Sequence, residues 1–198
     1  MFSVVIPTMW QSEYLLLMLP IYENCDLVVE VILIDNAFEK KPNLTDFKKI
    51  RYYSEFKNIF VNPAWNVGYK LAKHKIILAN DDILIENLTE VLQEIKNSNF
   101  DIIGVSWEQS NTLRIEEIDE FKRSGFGCFM YVKHYTTIPE NYLIFRGDYI
   151  LFQNNTRRGE LFNPKIKGEI GKTRKSDETL REISLNDLCK YSQNNLNV

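Results

Sequence analysis

Five short apolar runs, rich in Val and Ile, punctuate the first half of the chain at residues 2–6, 28–34, 59–61, 76–79 and 102–105. Within each run the apolar positions are nearly continuous, which predicts strands covered on both faces, as in a parallel sheet. Each gap between runs is a dozen residues or longer, enough for a helical crossover. The last gap shows its helix directly. Leu88, Val91, Leu92 and Ile95 fall at helical spacing behind Asn87, with Glu90 three residues on as a capping box. A second amphipathic helix is expected over about residues 66–73, with Val67 and Leu71 on one face. Alternating strand and helix through residue 105 predicts a layered α/β fold with a mostly parallel central sheet.

The pattern then changes. Residues 125–132 read as a strand entered through a glycine turn, and Ile138-Pro139-Glu140 breaks the chain. The apolar run 149–153, behind Gly147-Asp148, either starts a helix or extends a strand. From Arg157 the chain turns basic and glycine-punctuated, and the tail from Ser176 shows helical spacing at Leu180, Ile183, Leu185 and Leu188. Ser184-x-x-Asp187 offers a further cap there. With no internal repeat, low-complexity block or linker, residues 1–198 read as one domain, with a first half to 105 and a second from 106.

Composition narrows the class. The chain has 198 residues, 44% of them apolar and 26% charged, which are ordinary globular values. Its formal net charge is −3, with 24 Lys and Arg against 27 Asp and Glu, so a dedicated nucleic-acid binder is not expected. There is no basic N-terminal region followed by a long apolar run, and the greasiest stretch, 14–19, stops at Pro20, too short to span a bilayer. Cys25, Cys128 and Cys189 are odd in number, widely spaced and free of any CxxC pairing, which predicts reduced thiols and a cytoplasmic location. The sequons at Asn43 and Asn87 are then chance matches. Aromatic residues reach 13%, a level that suits a sugar-binding cleft and a packed core equally.

In an open α/β sheet, ligands bind beyond the carboxyl ends of the strands. Those ends carry Pro7-Thr8, Asp35-Asn36, Asn62 to Gly68, and Asn80-Asp81-Asp82. Each has a bland reading: Asp35-Asn36 as a turn, Asn66 as a helix cap, Asn80-Asp81-Asp82 as a polar turn into the next helix. Together they bring short oxygen-bearing side chains to one edge, where packing does not call for them. On an extended strand end Asn80 and Asp82 share a side and Asp81 points away. Two adjacent hard oxygen donors suit Mg²⁺ or Mn²⁺ sharing its shell with a diphosphate. Neither GxGxxG nor a P-loop follows the first strand, which weighs against dinucleotide dehydrogenases and P-loop NTPases. Only His74 and His134 exist, neither in zinc-ligand spacing with a cysteine.

The ordered series Val4-Val5-Ile6-Pro7-Thr8, Val31-Ile32-Leu33-Ile34-Asp35-Asn36, Asn62-x-x-x-Asn66-x-Gly68 and Ile76-Ile77-Leu78-Ala79-Asn80-Asp81-Asp82 resembles the GT-A glycosyltransferases, specifically the family 2-like group. The resemblance covers about the first hundred residues and implies a Rossmann-like α/β/α sandwich. It implies that Pro7, Thr8 and Asp35 hold nucleobase and ribose, and that Asn62, Asn66 and Gly68 sit beside the nucleotide. Asn80-x-Asp82 takes the place of the family's DXD motif, with Asn80 in the first acidic position; Asp82 and Asn80 are the expected metal ligands, and Asp81 a donor contact.

In the second half, the stretches 125–130, 138–140 and 145–149 look like the acceptor side of small glycosyltransferases, where Asp148 matches the catalytic base. Helix capping is the plainer account of Asp148, and Glu140 is the reserve base. The C-terminal His that often completes the metal shell is missing. Lys172, Arg174 and Lys175, or Arg157 and Arg158, could neutralise the diphosphate in its place, although a solvated loop explains both. Trp107, Phe126, Phe129 and Tyr131 are candidates to stack on an acceptor sugar, most of them expected in the core. The expected activity is metal-dependent, inverting transfer of a sugar from a nucleotide-diphosphate donor, a UDP-sugar first among them, to a hydroxyl of a glycan or other acceptor. A nucleotidyltransferase and a non-catalytic nucleotide-sugar-binding module are the alternatives.

Overall fold

The structure, a computed structural model, describes residues 1–37, 42–108, 110–121, 125–168 and 178–195. The chain runs β1 (Phe2–Thr8), α1 (Glu13–Asn24), β2 (Val28–Asp35), β3 (Ile50–Ser54), α2 (Val61–Leu71), β4 (Lys75–Ala79), β5 (Ile83–Ile85), α3 (Leu88–Asn97), β6 (Ile102–Val105) and β7 (Arg114–Glu117). A single 3₁₀ turn (Phe126–Cys128) leads into β8 (Phe129–Val132), followed by α4 (Gly147–Gln153), β9 (Arg158–Phe162), β10 (Ile166–Gly168) and α5 (Glu178–Asn195). Eight strands form one sheet in the order β3-β2-β1-β4-β8-β6-β9-β7, and β5 pairs with β10 in a separate ribbon. The first four strands of that order are mutually parallel; β8 enters antiparallel between β4 and β6, and β7 closes the far edge antiparallel to β9.

The apolar runs are continuous because both sheet faces are covered. Val4 and Ile6, Val31 and Leu33, Ile77 and Ala79 pack toward α1 and α3. The alternate residues Val5, Ile32, Ile34, Ile76 and Leu78 pack toward α2 and α4. Strand periodicity thus splits each run between two helical layers, giving an α/β/α sandwich. Phe126, Phe129 and Tyr131 belong to these cores and are almost fully buried, so they offer no stacking face to a sugar. Gly68 faces Val5 so closely that a Cβ there would lie 2.1 Å from Val5 Cγ1. It serves the contact of α2 with the sheet.

Four expectations are corrected. Residues 59–61 form no strand: the Asn36 carboxamide oxygen accepts from Ile59 N at 3.1 Å, Asn58 Oδ1 accepts from Phe60 N at 2.8 Å, and Phe60 turns the chain with φ of 67°. Helix α2 therefore starts at Val61, earlier than expected, with Pro63 in its first turn, where backbone donors have no intrahelical partner. The strand of that region is β3, hidden in the sequence because it is an edge strand with no fully buried residue and no continuous apolar run. Asn87 occupies the cap position of α3, yet its side chain makes no capping hydrogen bond. Ser184 lies inside α5, where its hydroxyl donates to the Leu180 carbonyl at 2.7 Å.

At the edge of the sheet away from the carboxyl ends of β1 and β4, Asp101 ties three strands together. One oxygen accepts from Lys133 Nζ at 3.2 Å and Arg157 Nη2 at 3.3 Å; the other accepts from the Thr156 hydroxyl at 3.0 Å and Arg157 N at 3.2 Å. Burial favours the neutral acid, but these donors outweigh it and hold the carboxyl well below the usual carboxylate range. A carboxyl held low in the folded state stabilises the fold above its unfolded value of about 4 and loses that contribution as pH falls further. Asp101→Asn should lower unfolding free energy by about 2 kcal/mol at neutral pH, measured by urea titration, with the gap to wild type closing below about pH 3. A gap that persists undiminished at low pH would contradict the assignment.

Candidate functional site

A cleft of about 290 Å³ opens at the carboxyl ends of β1 and β4. Its floor is made by Pro7, Thr8 and Met9 from the end of β1 and by Asn80, Asp81 and Asp82 after β4. Strand pairing stops at Ala79, and the chain turns at Asp81 and Asp82, so the strand alternation expected for 80–82 does not apply: all three residues border the same cleft. Asp81 Oδ2 accepts from the Thr8 hydroxyl at 2.7 Å and from Met9 N at 3.3 Å, fastening the β4 turn to the end of β1. Desolvation raises the Asp81 carboxyl to about 6; the Thr8 hydroxyl and Met9 N–H oppose this, and the neighbouring Asp82 charge adds to it. Thr8 Oγ1 also accepts from Trp10 N at 2.9 Å, holding Trp10 at φ of 56° and steering the chain off the sheet.

One wall comes from Asn36 after β2, Asn58 and Phe60 before α2, and Val61 and Trp65 of α2. The facing wall comes from Gly125, Gly127, Cys128, residues 144–146 and Asp148, with Leu180 of α5 at its border. Gly125 has φ of 86°, and a Cβ there would fall 1.6 Å from the Trp107 indole nitrogen. At Gly127 a Cβ would stand 2.8 Å from Asp148 Oδ2. Gly125 thus lets the backbone before β8 pass against Trp107, and Gly127 lets it pass against Asp148, the second residue of α4. The N-cap of that helix is Arg146, at φ of 70°, so Asp148 does not cap it; its Oδ1 accepts from Tyr149 N at 2.9 Å. Cys128 lies where Asp82 and Asp148 both act on it: burial foremost, then these two carboxylates, pushes its thiol up to about 12. Burial and the two carboxylates thus favour the neutral thiol.

The loop carrying Ile144, Phe145 and Arg146 is gripped from two sides. Asn62 Nδ2 donates to the carbonyls of Tyr142 at 3.2 Å and Phe145 at 3.0 Å, and Asn62 N donates to Leu143 O at 3.0 Å. From the other side, Asp187 Oδ2 accepts from Leu143 N, Ile144 N and Phe145 N at 3.0, 2.8 and 3.0 Å. Asp187 is fully buried, so three converging amides replace its water shell. Gly147 completes the grip, because a Cβ there would come within 2.1 Å of Asn62 Oδ1.

The residues singled out in the sequence therefore separate into two groups. Pro7, Thr8, Asn80, Asp81, Asp82 and Asp148 border the cleft. Asn62, Asn66 and Gly68 do not: the Asn62 amide holds the loop, the Asn66 amide brackets Ile138 by donating to its carbonyl and accepting from its N–H, both at 2.9 Å, and Gly68 packs on Val5. Asp35 lies beside Thr8 in the sheet register, but its carboxylate accepts from Tyr52 OH at 2.6 Å and Ala37 N at 2.8 Å, and its neighbour Asn36 lines the cleft. Glu140 is exposed and away from the cleft. Arg158 stacks on Phe152 at 4.5 Å and Arg157 binds Asp101, so neither enters it, while Lys172, Arg174 and Lys175 lie outside the described residues. Phe145 and Arg146 fall within the acceptor-side stretch 145–149 without being singled out as site residues, and Leu180 reads only as part of a helical pattern.

No family model and no curated protein sequence matches the chain. Among solved structures, S. aureus TarS 1-349 superposes with a TM-score of 0.57 at 16% identity, over 82% of this chain and 58% of that one. This chain therefore spans under two thirds of that structure's length. The fold is Rossmann-like, of the GT-A type. A 4-diphosphocytidyl-2C-methyl-D-erythritol synthase from Anaerococcus prevotii aligns over 97% of this chain and 96% of its own at 11% identity, with a TM-score of 0.46. Mannose-6-phosphate isomerase from Helicobacter pylori aligns over 67% and 68% at 18% identity, with a TM-score of 0.38. No helix among the described residues is long and apolar enough to cross a membrane.

The two-sided grip makes a prediction. Asp187→Ala should cost about 3 kcal/mol in unfolding free energy, because it leaves three buried amides unpaired. Amide exchange at Ile144 and Phe145 should accelerate more than in the strands of the sheet; unchanged protection at those two amides would show that the loop does not depend on α5.

Proposed function

We propose that this chain transfers a sugar from a nucleotide-diphosphate sugar to an acceptor hydroxyl, with inversion at the anomeric carbon. The observation that carries the reading is the meeting of Asp82, from the turn after β4, and Asp148, from the start of α4, on one cleft. The Rossmann-like, GT-A-type sandwich supports it, with its cleft at the carboxyl ends of the parallel strands.

The donor set fits a hard divalent cation, Mg²⁺ or Mn²⁺. Asp82 and Asn80, neighbours on the cleft, carry hard oxygen donors, while among the described residues no group of three or more His, Cys, Asp or Glu forms a full protein cage. Such a set leaves most of the coordination shell to diphosphate oxygens and water, the habit of Mg²⁺ at phosphate sites. Asp82 and Asn80 would hold the ion, and it would offset the charge that develops on the leaving diphosphate.

The chain's own residues do the rest. Asp81, tied to Thr8 and Met9, fixes the backbone on which Asp82 sits. Asn36 and Phe60 shape the nucleotide wall, and Trp65 contributes apolar surface beside it. Asp148 takes the acceptor hydroxyl's proton while that oxygen attacks the anomeric carbon from the face opposite the departing diphosphate. Gly127 lets the base approach the cleft backbone, and the gripped loop holds Arg146 beside it. Alignment of the two sugars supplies a large share of the acceleration.

The test is incubation with a panel of nucleotide sugars and Mn²⁺. Slow release of nucleoside diphosphate and free sugar is expected without acceptor; pyrophosphate release would make the protein a nucleotidyltransferase, and binding without turnover a carrier module. Asp148→Asn should keep donor affinity and lower turnover by about 10²- to 10⁴-fold. Asp82→Ala should abolish the metal-dependent part of turnover, and parental activity in that variant would falsify the metal assignment.

A further inference from the structure

A second concavity, of about 730 Å³, lies at the other end of β4 and β8 from the cleft. Lys75 begins β4 on this groove and Asn80 follows its end on the cleft, so the two sites stand roughly 16 Å apart along the strand. The groove is lined by Lys70, Lys73, Lys75, Lys96, Lys133 and Arg157, and no carboxylate lines it among the described residues. A chain with more acidic than basic residues thus places a quarter of its 24 Lys and Arg on one concave surface. All six are exposed.

Local structure accounts for only part of this. Lys70 and Lys96 sit in the last turns of α2 and α3, where the carbonyl ends favour a cation. Lys133 and Arg157 share Asp101, so one buried carboxylate faces two cations. Lys73 and Lys75 have neither role, and no carboxylate lies in ion-pair contact with Lys70, Lys73, Lys75 or Lys96 among the described residues. Four like charges held on one wall repel each other, and a ligand anion relieves that cost.

We infer that this groove is a binding site, separate from the cleft, for a soluble linear polyanion whose charges are phosphate groups. Five of the six cations are lysines, compact point charges that meet phosphate oxygens from many directions and need no single fixed geometry along a repeating chain. The shape argues against a lipid bilayer: a bilayer is met by a convex face with protruding apolar side chains, and Met1, Leu16, Leu17, Phe56 and Leu185, the described apolar residues that are half exposed or more, all lie outside the groove, where Tyr69 is the one exposed large hydrophobic among the described residues. Concavity instead suits an extended chain laid along the ends of β4 and β8. The inference does not depend on the chemistry of the cleft.

The probe is end-labelled inorganic polyphosphate of about 25 units, followed by fluorescence anisotropy with the full chain. Binding is expected to weaken with salt, with a log–log slope of about −4, as for six cations each releasing about 0.7 counterion from a single-stranded polyanion. The triple substitution Lys70→Ala, Lys73→Ala and Lys96→Ala removes exposed side chains, should leave the circular dichroism spectrum and melting temperature unchanged, and should weaken binding at least 10-fold. Polyglutamate of matched charge and vesicles containing phosphatidylglycerol should bind at least 10-fold more weakly than polyphosphate. The inference is overturned if the folded triple variant binds polyphosphate like wild type, if neither binds at low salt, if polyglutamate competes equally, or if only vesicles are bound.

Discussion

Asn62 and Asp187 hold opposite polar groups of the same short loop, and the far wall of the cleft depends on that pairing. A loop lining a cleft exposes backbone donors and acceptors that must find partners without filling the space they enclose. Here Asn62 satisfies the carbonyls of Tyr142, Leu143 and Phe145, while Asp187 satisfies the amides of residues 143–145. The side chains of Ile144, Phe145 and Arg146 are thereby left to face the cleft. The final helix α5 is thus part of the site although its Asp187 never reaches the cleft surface.

The opposite wall follows the same logic at smaller scale. Asn36 binds the Ile59 amide, Asn58 binds the Phe60 amide, and Asp81 binds Thr8 and Met9. Short polar side chains at the strand ends spend their hydrogen bonds on backbone turns, and the turns in turn aim Phe60, Asn80 and Asp82. Backbone held in this way tolerates the positive φ angles at Trp10, Phe60 and Arg146. All three residues sit within or beside the turns that border the cleft, where strain is stored to define a shape.

Charge is divided between the two ends of the sheet. Asp81, Asp82 and Asp148 gather at the carboxyl ends of the parallel strands, while six cations gather at the amino end of β4 and around it. Because β4 and β8 run in opposite directions, both ends of one strand pair serve both sites: Ala79 pairs with Phe129 near the cleft, and Ile76 with Val132 near the groove. Separation along one short strand pair keeps the two fields distinct in water at physiological salt, where charges are screened beyond about 8 Å.

The layered fold was legible because burial on both faces forces continuous apolar strands, and β1, β2, β4 and β6 answer to that signal directly. The cleft position was legible too, since polar residues at successive strand ends, Thr8 and Asn80 to Asp82, stand where core packing gives no reason for them. Local pattern failed where contacts are remote in sequence. Ile59, Phe60 and Val61 read as a strand, yet a hydrogen bond from 23 residues away makes them a turn and a helix start. Asn62 and Asn66 read as ligand contacts, yet partners some 70 to 80 residues later make them braces. Sequence alone determined which segments are buried and which strand ends are polar, because both are properties of a residue and its near neighbours. The tertiary structure decided which polar groups are already spent on backbone and which face open space, because that depends on what the rest of the chain brings within 3 Å of them.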